Sequence, residues 1–252
     1  MVTGFRYAAR TVAALAVALA VCRVAAVAAD DPPPIVKRAV AEYAADHRGA
    51  IAMSRHLSFT MHVGPMGKDV TNEVGIFMHD GAYVKTKYYA GTENGKTDDD
   101  ASLRKQEDKA NEDIAAGKGF FKRPMDPRFT ADYKFDESPC ACWHDTEHVK
   151  FTSLVRDASH GDGTMIIDKA TARVQSIEYD MNKPPDHATS GHVIETYGEA
   201  IPGLWTCVKV EETYSGKVGF VGGNAHLAYT LDHFRRFAQT DAAVAAIANR
   251  TL

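Results

Sequence analysis

Two cysteines and two histidines lie within nine consecutive residues, and all four have side chains that can bind a metal ion. The segment reads Cys140-Ala-Cys-Trp-His-Asp-Thr-Glu-His148. Thiolates and imidazoles could together supply the four ligands of a zinc ion. In an extended segment, however, side chains on one face are spaced about 6.6 Å apart, too far for all four to share one ion. We therefore predict no metal site; the ligands of one, if it existed, would be Cys140, Cys142, His144 and His148.

The same two cysteines have an alternative use, which is a disulfide with Cys207. Exported proteins usually hold their cysteines as disulfides rather than as free thiols. Spacing does not decide whether Cys140 or Cys142 pairs with Cys207, so both pairings remain open.

Motifs for hydrolytic or phosphate chemistry are missing from the sequence. It contains neither Gly-x-Ser-x-Gly nor His-Glu-x-x-His, and no glycine-rich phosphate loop precedes a helix. The run from Asp157 to Asp162 includes Ser159 and His160, the residue types of a catalytic triad. Neighbours in one tight turn cannot adopt triad geometry, so we predict a hairpin turn at residues 160–163. The sequence thus predicts no enzymatic activity and no cofactor.

The first 29 residues have the features of a secretory signal peptide. Arg6 and Arg10 precede an uncharged run over residues 11–22, and small residues at 27–29 offer a cleavage site. The uncharged run is too short to span a bilayer, which takes about 20 apolar residues. Lipidation at Cys22 is the less favoured alternative. We predict export to the periplasm or cell envelope.

Charge excludes one class of partner. Removing residues 1–29 removes three arginines and no acid, so the formal charge falls from −4 to about −7. Phosphate backbones require a basic surface, and we therefore expect no nucleic-acid partner. No later apolar stretch is long enough for a transmembrane segment. Residues 30–252 are predicted to form a single domain.

Most of this domain has apolar residues at every second position, which predicts antiparallel strands with one covered face. The segments with this pattern are 57–63, 70–78, 83–89, 149–155, 163–181, 205–210 and 225–231. Turns are predicted at 168–171, 215–217 and 222–224. Helical spacing predicts an amphipathic helix after the three prolines at 32–34 and a short helix at 240–249.

Residues 98–117 interrupt the strand pattern with a charged helix that has a thin apolar stripe. Acidic residues 98–100 suit the positive end of a helix dipole. Two interpretations remain open. The segment is either a solvated excursion between strands or a movable lid over the sheet, because a weakly apolar helix docks and undocks at small cost.

The order of these elements resembles the family of outer-membrane lipoprotein carriers, the LolA/LolB-like proteins. The local similarities are the segments 75–78, 163–171 with Asp168, and 201–205, which reads Ile-Pro-Gly-Leu-Trp. Typical carriers place a basic residue and a proline after the glycine of the third strand, where the base helps to latch the lid. This chain has His79-Asp80-Gly81 instead, so a lipoprotein-transfer role is less well supported than binding of an apolar ligand.

The resemblance implies an α+β fold: a strongly curved antiparallel sheet, or half-open β-barrel, with covering helices. The concave face would bind an acyl chain or a lipoprotein. The predicted wall residues are Leu57, Phe59, Met61, Phe77, Phe121, Tyr179 and Leu227. An alternative function is a sensor or adaptor domain with a filled core that binds an envelope protein partner.

Overall fold

The structure is a computed structural model that describes residues 31–137, 144–186, 188–218 and 221–252. Its helices are α1 (Pro34–Asp46), α2 (Asp100–Ala115) and α3 (Thr240–Ala248), with a short 3-10 turn at Thr130–Asp132. The strands are β1 (Ala50–Val63), β2 (Met66–His79), β3 (Ala82–Glu93), β4 (Lys96–Thr97), β5 (Tyr133–Glu137), β6 (Thr146–Ser153), β7 (Gly161–Asp168), β8 (Val174–Met181), β9 (Ala188–Ile201), β10 (Leu204–Val218) and β11 (Val221–Phe237).

All eleven strands belong to one antiparallel sheet in the order β4-β3-β2-β1-β11-β10-β9-β8-β7-β6-β5. The sheet is strongly curved. This is evident because Tyr83 of β3 and Tyr179 of β8 line the same cavity. Six strand spacings separate these two strands, and a flat sheet would place them about 29 Å apart. The sheet stays open, with β4 and β5 at its edges. The predicted α+β fold with a curved sheet and covering helices is confirmed.

Helix α1 packs against the inner face and closes one end of it. It begins at Pro34, where a missing amide hydrogen costs nothing, and buries Ile35, Val36, Ala39 and Tyr43. Arg236 of β11 donates to the carbonyls of Arg48 and Gly203, 3.0 and 2.8 Å away, and ties this end to the sheet. None of the described helices covers the opposite end of the inner face, where β1 and β11 meet at Val63 and Gly223.

Helix α3 packs on the outer face of the sheet, over the first half of β1 and the last half of β2. Phe77 lies fully buried there, in a small cluster with Ala50, Ala52, Ala243 and Ile247. The prediction that Phe77 lines the inner cavity is therefore wrong. Side chains alternate along a strand, so the inward neighbours Ile76 and Met78 leave Phe77 on the opposite face.

Helix α2 confirms the helix predicted between residues 98 and 117, and it covers an edge of the sheet. Strand β4 has two residues, so most of β3 has no strand partner on that side. The side chain of Asn111 takes its place: its Oδ1 accepts from Thr86 N at 2.8 Å and its Nδ2 donates to Thr86 O at 3.2 Å. Glu107 accepts from Tyr88 N at 3.2 Å. An open edge is thereby capped by polar side chains.

Two of the predicted turns are wrong. Residues 215–217 and 222–224 lie within β10 and β11, where Gly216 pairs with Gly223. A Cβ atom on Gly223 would lie 2.7 Å from His62 O and from Val63 Cγ2, so the glycine permits close approach of β1 rather than a turn. The turn predicted at 160–163 is also wrong from Gly161 onward, since Gly161 begins β7. The turn at 168–171 is confirmed by Thr171 N donating to Asp168 Oδ1 at 2.8 Å.

Over the described ranges, no helix combines the length and the apolar character required to cross a membrane. Residues 1–29, the predicted signal peptide with Cys22, lie outside the described residues.

Candidate ligand-binding cavity

An apolar cavity of about 310 Å³ opens at the end of the inner face that α1 leaves free. Its walls come from β1, β10 and β11 and from the loop before β9. The side chains that face it are those at alternate positions, because only one side of each strand can point inward. They include Phe59, Met61, Val63, Tyr214, Ala225 and Leu227. The volume is within the range of small-molecule sites, about 300–1,000 Å³.

A larger cavity of about 870 Å³ lies further along the same face, beneath α2 and the segment 116–123. Its lining is mixed rather than apolar: tyrosines and phenylalanines alternate with charged groups. Tyr214 lines both cavities, so the two spaces adjoin at its ring. Together they give the inner face an apolar end and a polar middle.

The structure places the remaining predicted wall residues on the inner face. Phe59, Met61 and Leu227 line the apolar cavity. Phe121 and Tyr179 line the larger one and stack on each other, with ring centroids 3.7 Å apart. Leu57 lies between Arg55 and Phe59 on the same side of β1 and lines neither cavity.

An ion pair in the middle of the inner face involves Arg123, which lies in the segment between α2 and β5. We call residues 120–126 of that segment the crossing segment. Arg123 Nε and NH2 donate to the two carboxylate oxygens of Glu195 at 2.7 and 3.0 Å. Both side chains are buried, with 9% and 2% exposure. Tyr197 donates a further hydrogen bond to Glu195. This pair ties the segment around Arg123 to β9, and residues 120–123 of that segment line the larger cavity.

Two charged residues on the inner face were not anticipated from the sequence. Arg55 of β1 and Glu212 of β10 both line the larger cavity. Burial raises the pKa of Glu212, although Tyr214 donates a hydrogen bond to it. The alternation of side chains along the strands could have identified these residues from the sequence. Each charge occupies a position where the side chain must point inward, as Glu195 does between Val193 and Tyr197.

His47 and Cys207 lie together under α1 and are both buried. His47 Nδ1 bonds the carbonyl of Tyr43 and Nε2 bonds Thr206 Oγ1, each at 2.9 Å. Burial lowers the pKa of His47 from 6.5 to about 4. Cys207 is a free cysteine whose thiol donates to Lys209 O at 3.4 Å. Both predicted disulfide partners of Cys207, Cys140 and Cys142, lie outside the described residues, so the disulfide stays a prediction.

The residues that resemble a catalytic triad in composition make hydrogen bonds that stabilise the fold. His160 is buried, its Nδ1 lies 2.6 Å from Asp157 Oδ1, and its Nε2 lies 3.2 Å from Asp132 Oδ2. Both ring nitrogens are thus engaged by carboxylates, and neither is directed at Ser159. The hydroxyl-activating geometry of a triad is not present at this position.

The sequence predicts no metal site, and the four side chains that could have formed one are not all described by the structure. His144 is exposed and His148 lies in β6, while both predicted cysteine ligands fall outside the described residues. Within the described part of the chain, one group of three has ligand atoms within 4.8 Å of one another: His56, Asp232 and His233, on the outer face.

Comparison with protein-family models gives no match, and comparison with curated protein sequences gives none either. Solved structures do match. A DUF1329 family protein from Desulfovibrio piger is 12% identical over 84% of this chain and 97% of its own, with a TM-score of 0.40. A putative outer membrane lipoprotein-sorting protein domain from Vibrio parahaemolyticus is 11% identical over 82% and 95%, with a TM-score of 0.43.

A LolA superfamily protein from Nitrosomonas europaea is 11% identical over 82% of this chain and 94% of its own, with a TM-score of 0.35. Two of these three structures thus carry names from the family that the sequence resembles, a lipoprotein-sorting protein domain and a LolA superfamily protein.

Proposed function

We propose that this chain is an exported, non-enzymatic carrier that shelters an acyl chain on the inner face of its sheet. The observation that supports this most directly is the apolar cavity of about 310 Å³. A filled core, as an adaptor domain would have, leaves no such space. Burial of an alkyl chain there is favourable by about 0.8 kcal/mol for each methylene removed from water.

The surroundings of the apolar cavity suit a ligand that enters from the open end. Met66 and Val221, at the tips of the hairpins that flank the cavity, are 64% and 47% exposed. Exposed apolar side chains beside a pocket are typical of surfaces that meet a membrane or a partner. An acyl chain could pass from such a surface into the cavity without crossing water.

Filling the apolar cavity is expected to weaken binding of a neutral twelve-carbon alcohol, dodecanol, at least tenfold. The change is Ala225→Phe, because Ala225 of β11 lines the cavity between Met61 and Tyr214. A phenyl ring there displaces two or more methylenes, and each tenfold loss corresponds to about 1.4 kcal/mol. Calorimetric titration of the purified, lipid-extracted protein measures the effect.

The matched control is Ala228→Phe, on the same strand but at a position that points to the outer face. It should leave dodecanol affinity unchanged. Equal binding by Ala225→Phe and wild type would contradict the proposal. Failure of the wild-type protein to bind any alkyl probe would do so too, and would favour the adaptor function instead.

We further propose that α2 is a movable cover over the larger cavity. No residue of α2 is buried, and it is attached to β3 mainly by polar side chains. Removing one buried hydrogen-bonding partner costs about 1–3 kcal/mol. Asn111→Ala should therefore speed amide exchange of Thr86 and of α2 roughly tenfold to a hundredfold, because it leaves the N–H and C=O groups of the buried Thr86 without their side-chain partner.

Hydrogen-exchange mass spectrometry measures this opening. Glu112→Ala alters an exposed position on the same helix and serves as control. If Asn111→Ala and Glu112→Ala exchange at the same rate as wild type, polar docking does not hold α2 and the cover proposal is wrong.

A further inference from the structure

We propose that the ligand is an anionic single-chain amphiphile, such as a fatty-acid carboxylate, whose charged end binds Arg55 while its tail occupies the apolar cavity. This inference rests on the proposed carrier function and adds the chemical class of the ligand. It is carried by a guanidinium group that lines the larger cavity and forms no ion pair within 4.0 Å among the described residues, although its charge also acts on Glu212 of the same cavity.

Arg55 faces the inner side of the sheet between Val74 of β2 and Leu231 of β11. Its Nε atom is buried and has no hydrogen-bond partner. Among the described residues, no carboxylate oxygen forms an ion pair with it within 4.0 Å, and its guanidinium carbon lies 5.7 Å from the centre of the Tyr229 ring. The charge that acts on it electrostatically in the cavity lining is that of Glu212. Buried charges are normally paired and hydrogen-bonded, so this group lacks what a ligand anion would supply.

The charge of the cavity favours an anion as well. Its lining contains six cationic side chains against four anionic ones, in a chain whose formal charge is −4. Glu195 is neutralised by Arg123, and Lys122 and Arg156 lie near Asp157 and Asp162, at 3.8 and 2.6 Å. Arg55, Lys118 and Lys183 form no ion pair of this kind among the described residues, and of these three Arg55 is the one with a buried nitrogen that lacks a hydrogen-bond partner.

The position of Arg55 also fits the length of an amphiphile. Arg55 and Phe59 point to the same side of β1, four residues apart, which is about 13 Å along the strand. Leu57 and Tyr229 line the way between them, and the apolar cavity begins at Phe59. Glu212 lies beside this path; burial raises the pKa of its carboxyl group, and the charge of Arg55 lowers it. A head at Arg55 thus leaves the tail in the apolar end.

The test compares three probes of equal chain length: dodecanoate, dodecanol and dodecylammonium, titrated calorimetrically above neutral pH. Wild type should bind dodecanoate at least tenfold more tightly than dodecanol, because a hydrogen bond to a charged group is worth more than one between neutral groups. Dodecylammonium should bind most weakly. In Arg55→Gln the preference for dodecanoate should disappear while dodecanol affinity stays the same, which also shows that the variant is folded.

Lys183→Gln is the matched control, since Lys183 lines the same cavity. It should retain the preference for dodecanoate. Equal affinity of wild type for dodecanoate and dodecanol would overturn the inference and leave the carrier function standing. A preference that survives in Arg55→Gln, or that Lys183→Gln removes equally, would overturn it too. If no probe binds wild type, the inference and the carrier function both fail.

Discussion

Replacing Arg123 by methionine should lower the free energy of unfolding by about 3–5 kcal/mol. The substitution leaves the carboxylate of Glu195 buried, at 2% exposure, and removes the guanidinium group that forms a bidentate ion pair with it. An unpaired buried charge is costly because neither water nor a counterion compensates it. Urea denaturation followed by circular dichroism measures the loss.

Two companion variants separate the ion pair from general damage to the crossing segment. Lys122→Met changes the adjacent residue, whose 3.8 Å contact with Asp157 is a surface pair, and should cost at most about 1 kcal/mol. Arg123→Met combined with Glu195→Leu should recover part of the stability, because both charges are then gone. Equal losses for Lys122→Met and Arg123→Met, or no recovery in the double variant, would show that the pair does not anchor this segment.

Acidification from neutral pH to pH 4 should remove on the order of 3 kcal/mol of stability through His47 alone. Burial lowers the pKa of this imidazole from 6.5 to about 4 in the folded protein. Between these values the unfolded chain binds the proton and the folded chain does not, so stability falls as pH falls through this window. Below pH 4 both states are protonated and the contribution of His47 levels off.

The His47→Gln variant cannot titrate at this position. Its free energy of unfolding should therefore fall less than that of wild type as pH falls from 6.5 to 4. Thr206→Val removes the hydroxyl that bonds Nε2 but keeps the imidazole, and it should lower stability while retaining the acid dependence. Parallel pH profiles for wild type and His47→Gln would contradict the assignment.

Much of the fold could be predicted from local patterns. Alternation at Leu57, Phe59 and Met61 predicted an inward apolar face on one strand, and this face lines the cavity at Phe59 and Met61. Helical spacing predicted α1, α2 and α3, because amphipathic periodicity depends only on neighbouring residues. Turns were harder to predict. Gly216 and Gly223 lie in segments whose composition is typical of turns. In the structure they pair with each other within β10 and β11, and Gly223 allows β1 to approach closely.

The site depends on contacts between segments far apart in sequence. Arg123 and Glu195 are 72 residues apart, and no local pattern indicates that they meet. Phe77 has the same hydrophobicity as the cavity residues, yet one step of strand alternation places it under α3 on the other face.

By itself, the sequence determined the three helices and most of the strand segments, because those properties arise from local spacing; it did not indicate β5, β9 or the strand character of residues 215–217 and 222–224. Only the tertiary structure decided that Tyr83 and Tyr179 line one cavity, and that Arg55 lines it too with a buried Nε atom that has no hydrogen-bond partner among the described residues. Curvature of the sheet brings strands six spacings apart onto one cavity, and curvature results from the packing of the whole sheet against α1 and residues 116–123.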